Sequence, residues 1–469
     1  GPKLQKVTSD KDKNKGGAMS RAAAADWEVF KIAALNREQV AKLAGASGIP
    51  DTNEFLRSID AAHAWEFARR PSDVKPLARY WAKYRRLGTL TDLIEFDVTQ
   101  KLREPRTEAD TLLSDEDARV GAETLAAAAV LCHAPAIRLP ASDTQDALDG
   151  RACLPADWWT GNKHAALLDR PIFDEAHVGK VRFHHRRVRE YLAARWIERQ
   201  MHAGCPLHEL EDIFFDRIAG VRVMRDSLAP VAAWLCAGDS AWNGFMRKWV
   251  RETRPEIVLR YGDPHALSAQ FRRELLQDLV ARAKSARHLW LSSDEATLGR
   301  FGHEDIGPDL AAVASETTLA GDLRSAALDI IRLCGLKNCT QQALAIFTDN
   351  KEEDRIRVEA GRALVAIADD TTRAAMAAYL LGRADIDMPL VGIAAENLWP
   401  RAINNRQLVD LLSNVQLTGE AVSGLEWQVV TPMQSKLSVH GARELAPLVI
   451  ALLRESPCFP ADRELPPIS

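Results

Sequence analysis

The chain of 469 residues is long enough for two to four domains, and its 46% hydrophobic and 27% charged residues are ordinary for a globular protein. A formal net charge of -4 excludes a generally basic nucleic-acid binder and leaves room only for a local basic patch. Seven scattered cysteines without a CxxC spacing favour free thiols in a reducing compartment. With no visible signal peptide and no apolar run of about 18 residues, we expect a cytoplasmic protein without a membrane partner.

The first 21 residues, "GPKLQKVTSDKDKNKGGAMSR", are rich in lysine, aspartate and glycine and offer almost nothing to bury. The opening Gly-Pro is typical of a protease-cleavage scar and "GGAMS" of a cloning linker. We therefore predict that residues 1–21 are a disordered tag or linker and exclude them from the fold.

Residues 22–114 combine one strand, at 27–33, with a run of helices. Asn36 is a predicted helix N-cap, and Phe55 and Ile59 lie at helical spacing in the next helix. Pro71 is predicted to stop that helix. Two more helices follow, in "DVKPLARYWAKYRRLG" and "LTDLIEFDVTQKLRE".

Residues 115–205 begin with a long Ala-rich helix and reach two short strands, 171–173 and 180–183, around a polar turn at Gly179. A helix is predicted over 185–201. Helices beside a small hairpin are typical of a winged-helix-like unit, in whose core Phe183 should lie.

Helices without a convincing strand are predicted from 206 to 310, as a helical linker or solenoid start. Between 311 and 469 the sequence shows a weak repeat: "LRSAALDIIRLCG", "IRVEAGRALVAIA" and "PLVGIAAENLWP" each precede a second helix at a period of about 33 residues. Paired helices at this period stack into an α-solenoid of the HEAT type. The predicted fold class is therefore mostly α: a helical domain, a winged-helix-like unit and an α-solenoid.

Motifs that carry chemistry are absent from the sequence. It contains no GxxxxGK[ST], GxSxG or HExxH, and no GxGxxG after a strand. No nucleophile, paired acids or metal set stands out, so we expect no catalytic residue, no metal and no cofactor in this chain.

The stretch "VRFHHRRVREYLAARWI" joins the second strand to the next helix and holds the candidate site. His184 and His185 are neighbours there, and alternation does not decide which one faces inward. Three interpretations compete for the arginines: a solvated or salt-bridged helix face, a nucleic-acid recognition helix, or a phosphate-sensing junction with His185 at a helix N-terminus. Those arginines are Arg182, Arg186, Arg187, Arg189 and Arg195.

This stretch resembles the winged-helix signature of NACHT-like STAND P-loop NTPases of the bacterial antiviral defence type. The shared pattern is Phe-x-His, four residues, then Glu-Tyr-Leu-Ala-Ala: Phe183, His185, Glu190, Tyr191, Leu192, Ala193 and Ala194. "WEVFKIAAL" resembles the last strand of the NTPase core, "FARRPSDVKPLARYW" the segment after it, and "GTLTDLIEFDVTQKLRE" the following helical domain. The likeness assigns 22–114 to the end of that core and the helical domain.

The resemblance implies that His185 contacts the phosphate of bound ADP and that Pro71 approaches the adenine. His184, Arg182 and Arg186 are further phosphate or interface candidates. Walker A and Walker B are missing, so a parent protein would supply ADP or ATP with Mg through a core N-terminal to Ala22.

The expected function is regulatory: the solenoid senses a foreign protein and the winged helix gates nucleotide-dependent oligomerisation. Expected partners are that protein ligand, the chain's own NTPase core and effector, and further copies on activation. Nucleic acid is not expected. The alternatives are a free-standing α-solenoid scaffold or adaptor and a winged-helix nucleic-acid binder.

Overall fold

The structure is a computed structural model. It describes residues 4–6, 30–62, 64–103, 113–142, 145–160, 162–285, 295–383, 386–415, 429, 431–434, 436–437 and 439–455. These residues are mostly helical, which confirms the coarse prediction of a mostly α fold. Residue contacts divide the chain into two compact units, 1–235 and 236–469.

The first unit contains short strands and ten helices among its described residues. The strands are β1 (Leu4–Lys6), β2 (Phe30–Ile32), β3 (Ile137–Arg138), β4 (Phe173–His177), β5 (Lys180–Phe183), β6 (Phe215–Ile218) and β7 (Val221–Met224). The helices are α1 (Arg37–Ala46), α2 (Thr52–Ala61), α3 (Pro71–Tyr84), α4 (Leu90–Arg103), α5 (Asp115–Leu131), α6 (Asp157–Thr160), α7 (Lys163–Leu168), α8 (Arg186–His202), α9 (Leu207–Phe214) and α10 (Ala229–Leu235).

One part of the N-terminal segment is ordered. Leu4–Lys6 pairs antiparallel with Phe30–Ile32, so the prediction of disorder for residues 1–21 is wrong at these three residues. The strand predicted at 27–33 is confirmed for Phe30–Ile32. Backbone pairing needs little side-chain burial, which explains how a polar segment supplies a strand. The rest of residues 1–21 lies outside the described residues.

Helix α1 starts after the predicted N-cap Asn36, whereas the prediction for Pro71 is wrong. Asn36 Oδ1 accepts a hydrogen bond from the Gln39 backbone N–H at 2.9 Å and closes a capping box. Pro71 does not stop a helix: it is the first residue of α3. A proline is tolerated there because the first helical N–H has no intrahelical partner. A core forms around Phe55 and Trp81, whose rings meet edge to face at 6.1 Å.

The small sheet has the order β3-β5-β4, all antiparallel. Phe173 pairs with Phe183, and Gly179 has the positive φ of 75° that the tight turn requires. The hairpin and the following helix are confirmed. Strand β4 begins at Phe173, two residues after the start of the predicted strand, and β3 was not predicted. Helix α8 packs against α5, whose many alanines permit close approach.

A second hairpin corrects the prediction that no strand lies beyond residue 206. Strands β6 and β7 pair antiparallel from Phe215↔Met224 to Ile218↔Val221. The turn uses Ala219 and Gly220, which both have positive φ. Each strand is four residues long, too short for a clear alternating pattern.

The second unit is helical in its described residues. Its helices are α11 (Ala241–Thr253), α12 (Glu256–Tyr261), α13 (Ala269–Ser285), α14 (Glu295–Phe301), α15 (Gly307–Ser315), α16 (Gly321–Cys334), α17 (Thr340–Thr348), α18 (Asp354–Ile367), α19 (Asp370–Leu381), α20 (Met388–Ile393), α21 (Asn405–Ser413), α22 (Thr431–Gln434) and α23 (Val439–Glu455). A π-helical turn, Ala394–Leu398, continues α20. Helix α16 packs on α18 and α18 on α20, while α17 packs on α19 and α19 on α21.

In the part of the chain that the structure describes, no helix has both the length and the apolar composition that crossing a membrane would require.

Candidate functional site

The junction between β5 and α8 brings the two predicted histidines against α3 and α4. Phe183 ends β5 and points into the core, where its ring packs on that of Phe173 at 4.7 Å. This placement of Phe183 was predicted and is confirmed. The chain then turns through His184 and His185 into α8.

His184 faces inward and is held at both ring nitrogens. Nδ1 lies 3.0 Å from the backbone oxygen of Ile172, and Nε2 lies 3.0 Å from Asp97 Oδ2 on α4. Each ring nitrogen of His184 thus has an oxygen within hydrogen-bond distance, one from the backbone and one from a carboxylate. The side chain is 7% exposed.

Asp97 is the anion of this pair and also contacts Lys101 at 3.2 Å. Burial would raise the pKa of Asp97, but the hydrogen bond from His184 and the charge of Lys101 outweigh it and lower that pKa. A buried ion pair thus ties the β5–α8 junction to α4. The Arg70 guanidinium adds a hydrogen bond to the His184 backbone oxygen at 3.2 Å.

His185 plays a different part, as the N-cap of α8. Its Nδ1 accepts the backbone N–H of Arg187 at 3.1 Å, which requires an unprotonated Nδ1 and leaves the proton on Nε2. Its ring stacks on Phe67 at 5.3 Å. Burial first, then the charges of His184, Arg70 and Arg187, lower the pKa of His185 to about 3. The two adjacent histidines therefore have different partners: His184 contacts a carboxylate on α4, whereas His185 caps its own helix.

A second carboxylate, that of Asp73 on α3, lies in the same region. It is 8% exposed, and Ser72 Oγ donates to its Oδ1 at 3.2 Å. Burial raises the pKa of Asp73, although the charges of Lys101 and His184 act in the opposite direction. The two acids thus have opposite pKa shifts.

These groups border a small cavity of about 20 Å³. Its walls comprise Phe67, Asp73, Pro76, Leu77, Tyr80, Leu93, Ile94, Phe96, Asp97, His184, His185 and Val188. That volume holds about one water molecule, far less than a nucleotide needs. The proline that borders it is Pro76, whereas the predicted Pro71 is exposed at the start of α3.

A polar network that the sequence did not indicate continues from this junction along α8. Tyr191 donates to Glu95 Oε2 at 2.7 Å, and Arg119 donates to both oxygens of Glu95 at 2.8 and 2.9 Å. Arg119 and Arg199 also donate to Glu123, which is 2% exposed. Burial first, then Glu95, raise the pKa of Tyr191. Tyr191 of the signature is the only local signal that could have pointed to this network.

The remaining predicted site residues are dispersed. Arg182 is exposed on β5, opposite Asp174 in the strand pairing. Arg186 is also exposed, and its Nε donates to Glu190 one turn later at 2.6 Å. Neither borders the cavity at His185.

Three arginines of α8 are paired with carboxylates. Arg186 contacts Glu190, Arg195 contacts Glu198, and Arg199 contacts Glu123. For Arg186 and Arg195, two of the five arginines in question, the contacts favour the ion-paired helix face among the three interpretations, because each of these two charges already has a protein anion.

Within the described ranges, no group of three or more His, Cys, Asp or Glu residues is arranged to hold a metal ion. The six cysteines among the described residues are free thiols, as predicted, and Cys458 lies outside them. No protein-family model and no curated protein sequence matches the chain.

Proposed function

We propose that this chain is the regulatory and ligand-sensing portion of a NACHT-like STAND NTPase. The observation that carries the proposal is the joint at which the signature residues meet. Phe183 fills the core, His185 caps α8, and Tyr191 bonds to α4. A motif whose members serve one joint is better explained by a shared role than by chance composition.

The winged-helix assignment is part of this proposal. It is supported by the sheet β3-β5-β4, by the direct passage from β5 into α8, and by the packing of α8 on α5. Residues 22–114, with helices α1 to α4, would correspond to the end of the NTPase core and the helical domain. A switch needs two states separated by breakable contacts. The ion pair His184–Asp97 and the hydrogen bond Tyr191–Glu95 are such contacts.

Nucleotide sensing would fall to His185. Its proton on Nε2 is a donor for a phosphate oxygen, and the nearby start of α8 favours an anion. Because the cavity beside it is about 20 Å³, the nucleotide would lie outside that cavity, on a core supplied by the parent protein. When bound there, ADP or ATP with Mg would supply the signal to which the β5–α8 junction responds. Pro71 has weaker support than His185, since it is exposed and away from the cavity.

The α-solenoid sensor is supported by contacts that recur along the second unit. Arg355 donates to Asp322 at 2.7 Å and Arg383 to Asn350 at 2.8 Å, and each pair is separated by 33 residues. This separation equals the sequence period, as expected when each helix pair contacts the next. Capture of a foreign protein there, oligomerisation on activation and a role in antiviral defence rest on the resemblance alone, whereas the cytoplasmic location is proposed from the sequence features given above.

The first test is the coding sequence that precedes residue 22 in the native gene. A P-loop and an acidic strand within a few hundred codons support the proposal. A start codon near Met19 without an NTPase core contradicts it and favours a free-standing scaffold.

The second test uses the parental protein. His185→Ser keeps a capping oxygen for α8 but cannot reach a phosphate. We expect it to purify with less bound ADP and to show higher basal activity, while the exposed His208→Ser behaves as wild type. Unchanged ADP content in His185→Ser would overturn the role of His185.

A further inference from the structure

Helix α3 and the turn after it present a concentration of positive charge. From Arg69 to Arg86 the sequence has seven lysines and arginines and a single acid, Asp73, which is 8% exposed. We define the α3 basic face as the five exposed residues Lys75, Arg79, Lys83, Arg85 and Arg86. The face is positively charged, whereas the whole chain has a net charge of -4.

The geometry of α3 places three of these charges in a row. Lys75, Arg79 and Lys83 are four residues apart, so they share one side of the helix with a rise of about 6 Å between neighbours. The buried residues Val74, Leu77, Ala78 and Trp81 occupy the opposite side. The row therefore points away from the core.

Two lysines of the α3 basic face, Lys75 and Lys83, differ in their partners from three arginines of α8. Those arginines, Arg186, Arg195 and Arg199, are ion-paired with Glu190, Glu198 and Glu123. On α3, Lys83 lies over the Tyr84 ring at 4.9 Å and Arg85 over the Trp81 ring at 4.8 Å. Among the described residues, no carboxylate forms an ion pair with Lys75 or Lys83.

An aromatic side chain accompanies these charges. Tyr84 is 45% exposed, and its inner edge packs on Tyr80 at 4.6 Å and Phe96 at 6.4 Å. The ring thus lies at the surface against the buried Tyr80 and the half-buried Phe96. It lies beside Lys83 at one end of the row, and an exposed aromatic ring next to cations is the combination used to bind single-stranded nucleic acids, since phosphates meet the charges and a base stacks on the ring.

Other polyanions fit this surface less well. Insertion into a lipid surface requires a broad apolar face, but the exposed apolar residues of α3 are only Pro71, Ala82 and Tyr84. An acidic peptide would use the charges but has no base to stack on Tyr84. In a duplex the bases are already stacked on each other.

We propose that the α3 basic face with Tyr84 is a binding site for single-stranded nucleic acid. Lys75, Arg79 and Lys83 contact successive phosphates, and Tyr84 stacks on a base. This site is separate from the arginines of α8, for which the sequence left a nucleic-acid recognition helix open as one interpretation. It does not depend on the proposed NTPase switch.

The test is fluorescence anisotropy of the 469-residue chain with labelled 20-nucleotide dT and rU oligomers, a 20-base-pair duplex, and anionic phosphatidylserine vesicles as a competitor. We expect the single strands to bind most tightly at 50 mM salt. With about three to five phosphate contacts, log K should fall with log salt at a slope of about -2 to -3.5.

The variants separate charge from stacking. Lys75→Glu/Lys83→Glu should weaken single-strand binding at least about 10-fold, because two contacts are reversed. Lys337→Glu/Lys351→Glu changes the net charge equally at two other exposed positions and should stay within about twofold of wild type. Tyr84→Leu, with folding checked by circular dichroism, should cost about 5- to 100-fold on single strands.

Three results would overturn the proposal. One is the absence of binding to either oligomer at 50 mM salt. Another is an equal loss in the two double variants, which would reduce the effect to net charge. The third is tighter binding to duplex or vesicles together with no effect of Tyr84→Leu, which would show an anionic surface and not a single strand as the occupant.

Discussion

The phenol of Tyr191 on α8 donates a hydrogen bond of 2.7 Å to Glu95 Oε2 on α4, across 96 residues of sequence. Glu95 is held at the same time by the two terminal nitrogens of Arg119 on α5. One carboxylate therefore joins three helices. Because the pKa of Glu95 is lowered by Arg119 against the effect of burial, the acceptor stays charged and the bonds to it are of the strong class.

Tyr191→Phe should weaken this joint. The change removes one hydrogen bond to a charged acceptor but leaves Arg119 on Glu95, so we expect a loss of about 1.5 kcal/mol in the free energy of unfolding. Urea unfolding followed by circular dichroism measures it. Hydrogen exchange should also accelerate in α4 and α8 and not in the second unit.

Tyr84→Phe is the matched control for Tyr191→Phe. Tyr84 is 45% exposed, and a surface change of this kind costs less than about 0.5 kcal/mol. Equal effects of the two substitutions would show that the hydroxyl of Tyr191 does not hold the joint.

Local features of the fold were predictable because each depends on residues near in sequence. Asn36 starts α1 through a side-chain bond three residues along, and His185 begins α8 at a visible change from alternating to helical periodicity. Pro71 was misread because proline marks both the end of one helix and the first turn of the next.

The candidate site was predictable only in part. The signature pointed to His185 and included Tyr191, but their partners Phe67 and Glu95 come from distant elements. A pairing across 96 residues leaves no periodic trace in a single sequence. Which histidine faces inward was likewise decided by Asp97, on a helix that the local pattern does not include.

The stability of the first unit should fall in acid partly through His185. Its pKa is lowered to about 3 in the folded chain, against about 6.5 when unfolded. Between these values the unfolded chain binds the extra proton, so the contribution of His185 is full above pH 6.5 and is lost as the pH falls towards 3. One histidine contributes a slope of at most about 1.4 kcal/mol per pH unit.

His185→Asn isolates this contribution, because asparagine still offers an oxygen to the Arg187 N–H but does not titrate. The free energy of unfolding should therefore depend less steeply on pH in the variant than in wild type between pH 6.5 and 4. His164 and His265 also have lowered pKa values, while Asp73 and Glu190 have raised ones, and all four remain in both proteins. Identical slopes would mean that His185 is protonated in the folded chain.

The close packing of α5 predicts that two glycine-to-alanine substitutions, one in α5 and one in α11, change stability in opposite directions. A Cβ on Gly121 would lie 2.7 Å from the Trp158 ring and 2.7 Å from Leu167 Cδ2, and both side chains are buried. Overpacking of about 1–3 kcal/mol should exceed the gain of about 1 kcal/mol from alanine's helix propensity, so Gly121→Ala should lower the midpoint of urea unfolding.

Gly244→Ala, in α11, is the contrasting substitution. Its added Cβ would have no neighbour within 4 Å, so only the gain in helix propensity remains. Gly244→Ala should therefore raise stability by about 0.5–1 kcal/mol. If both substitutions were stabilising, Trp158 could move aside and the packing of α5 would accommodate a Cβ at residue 121.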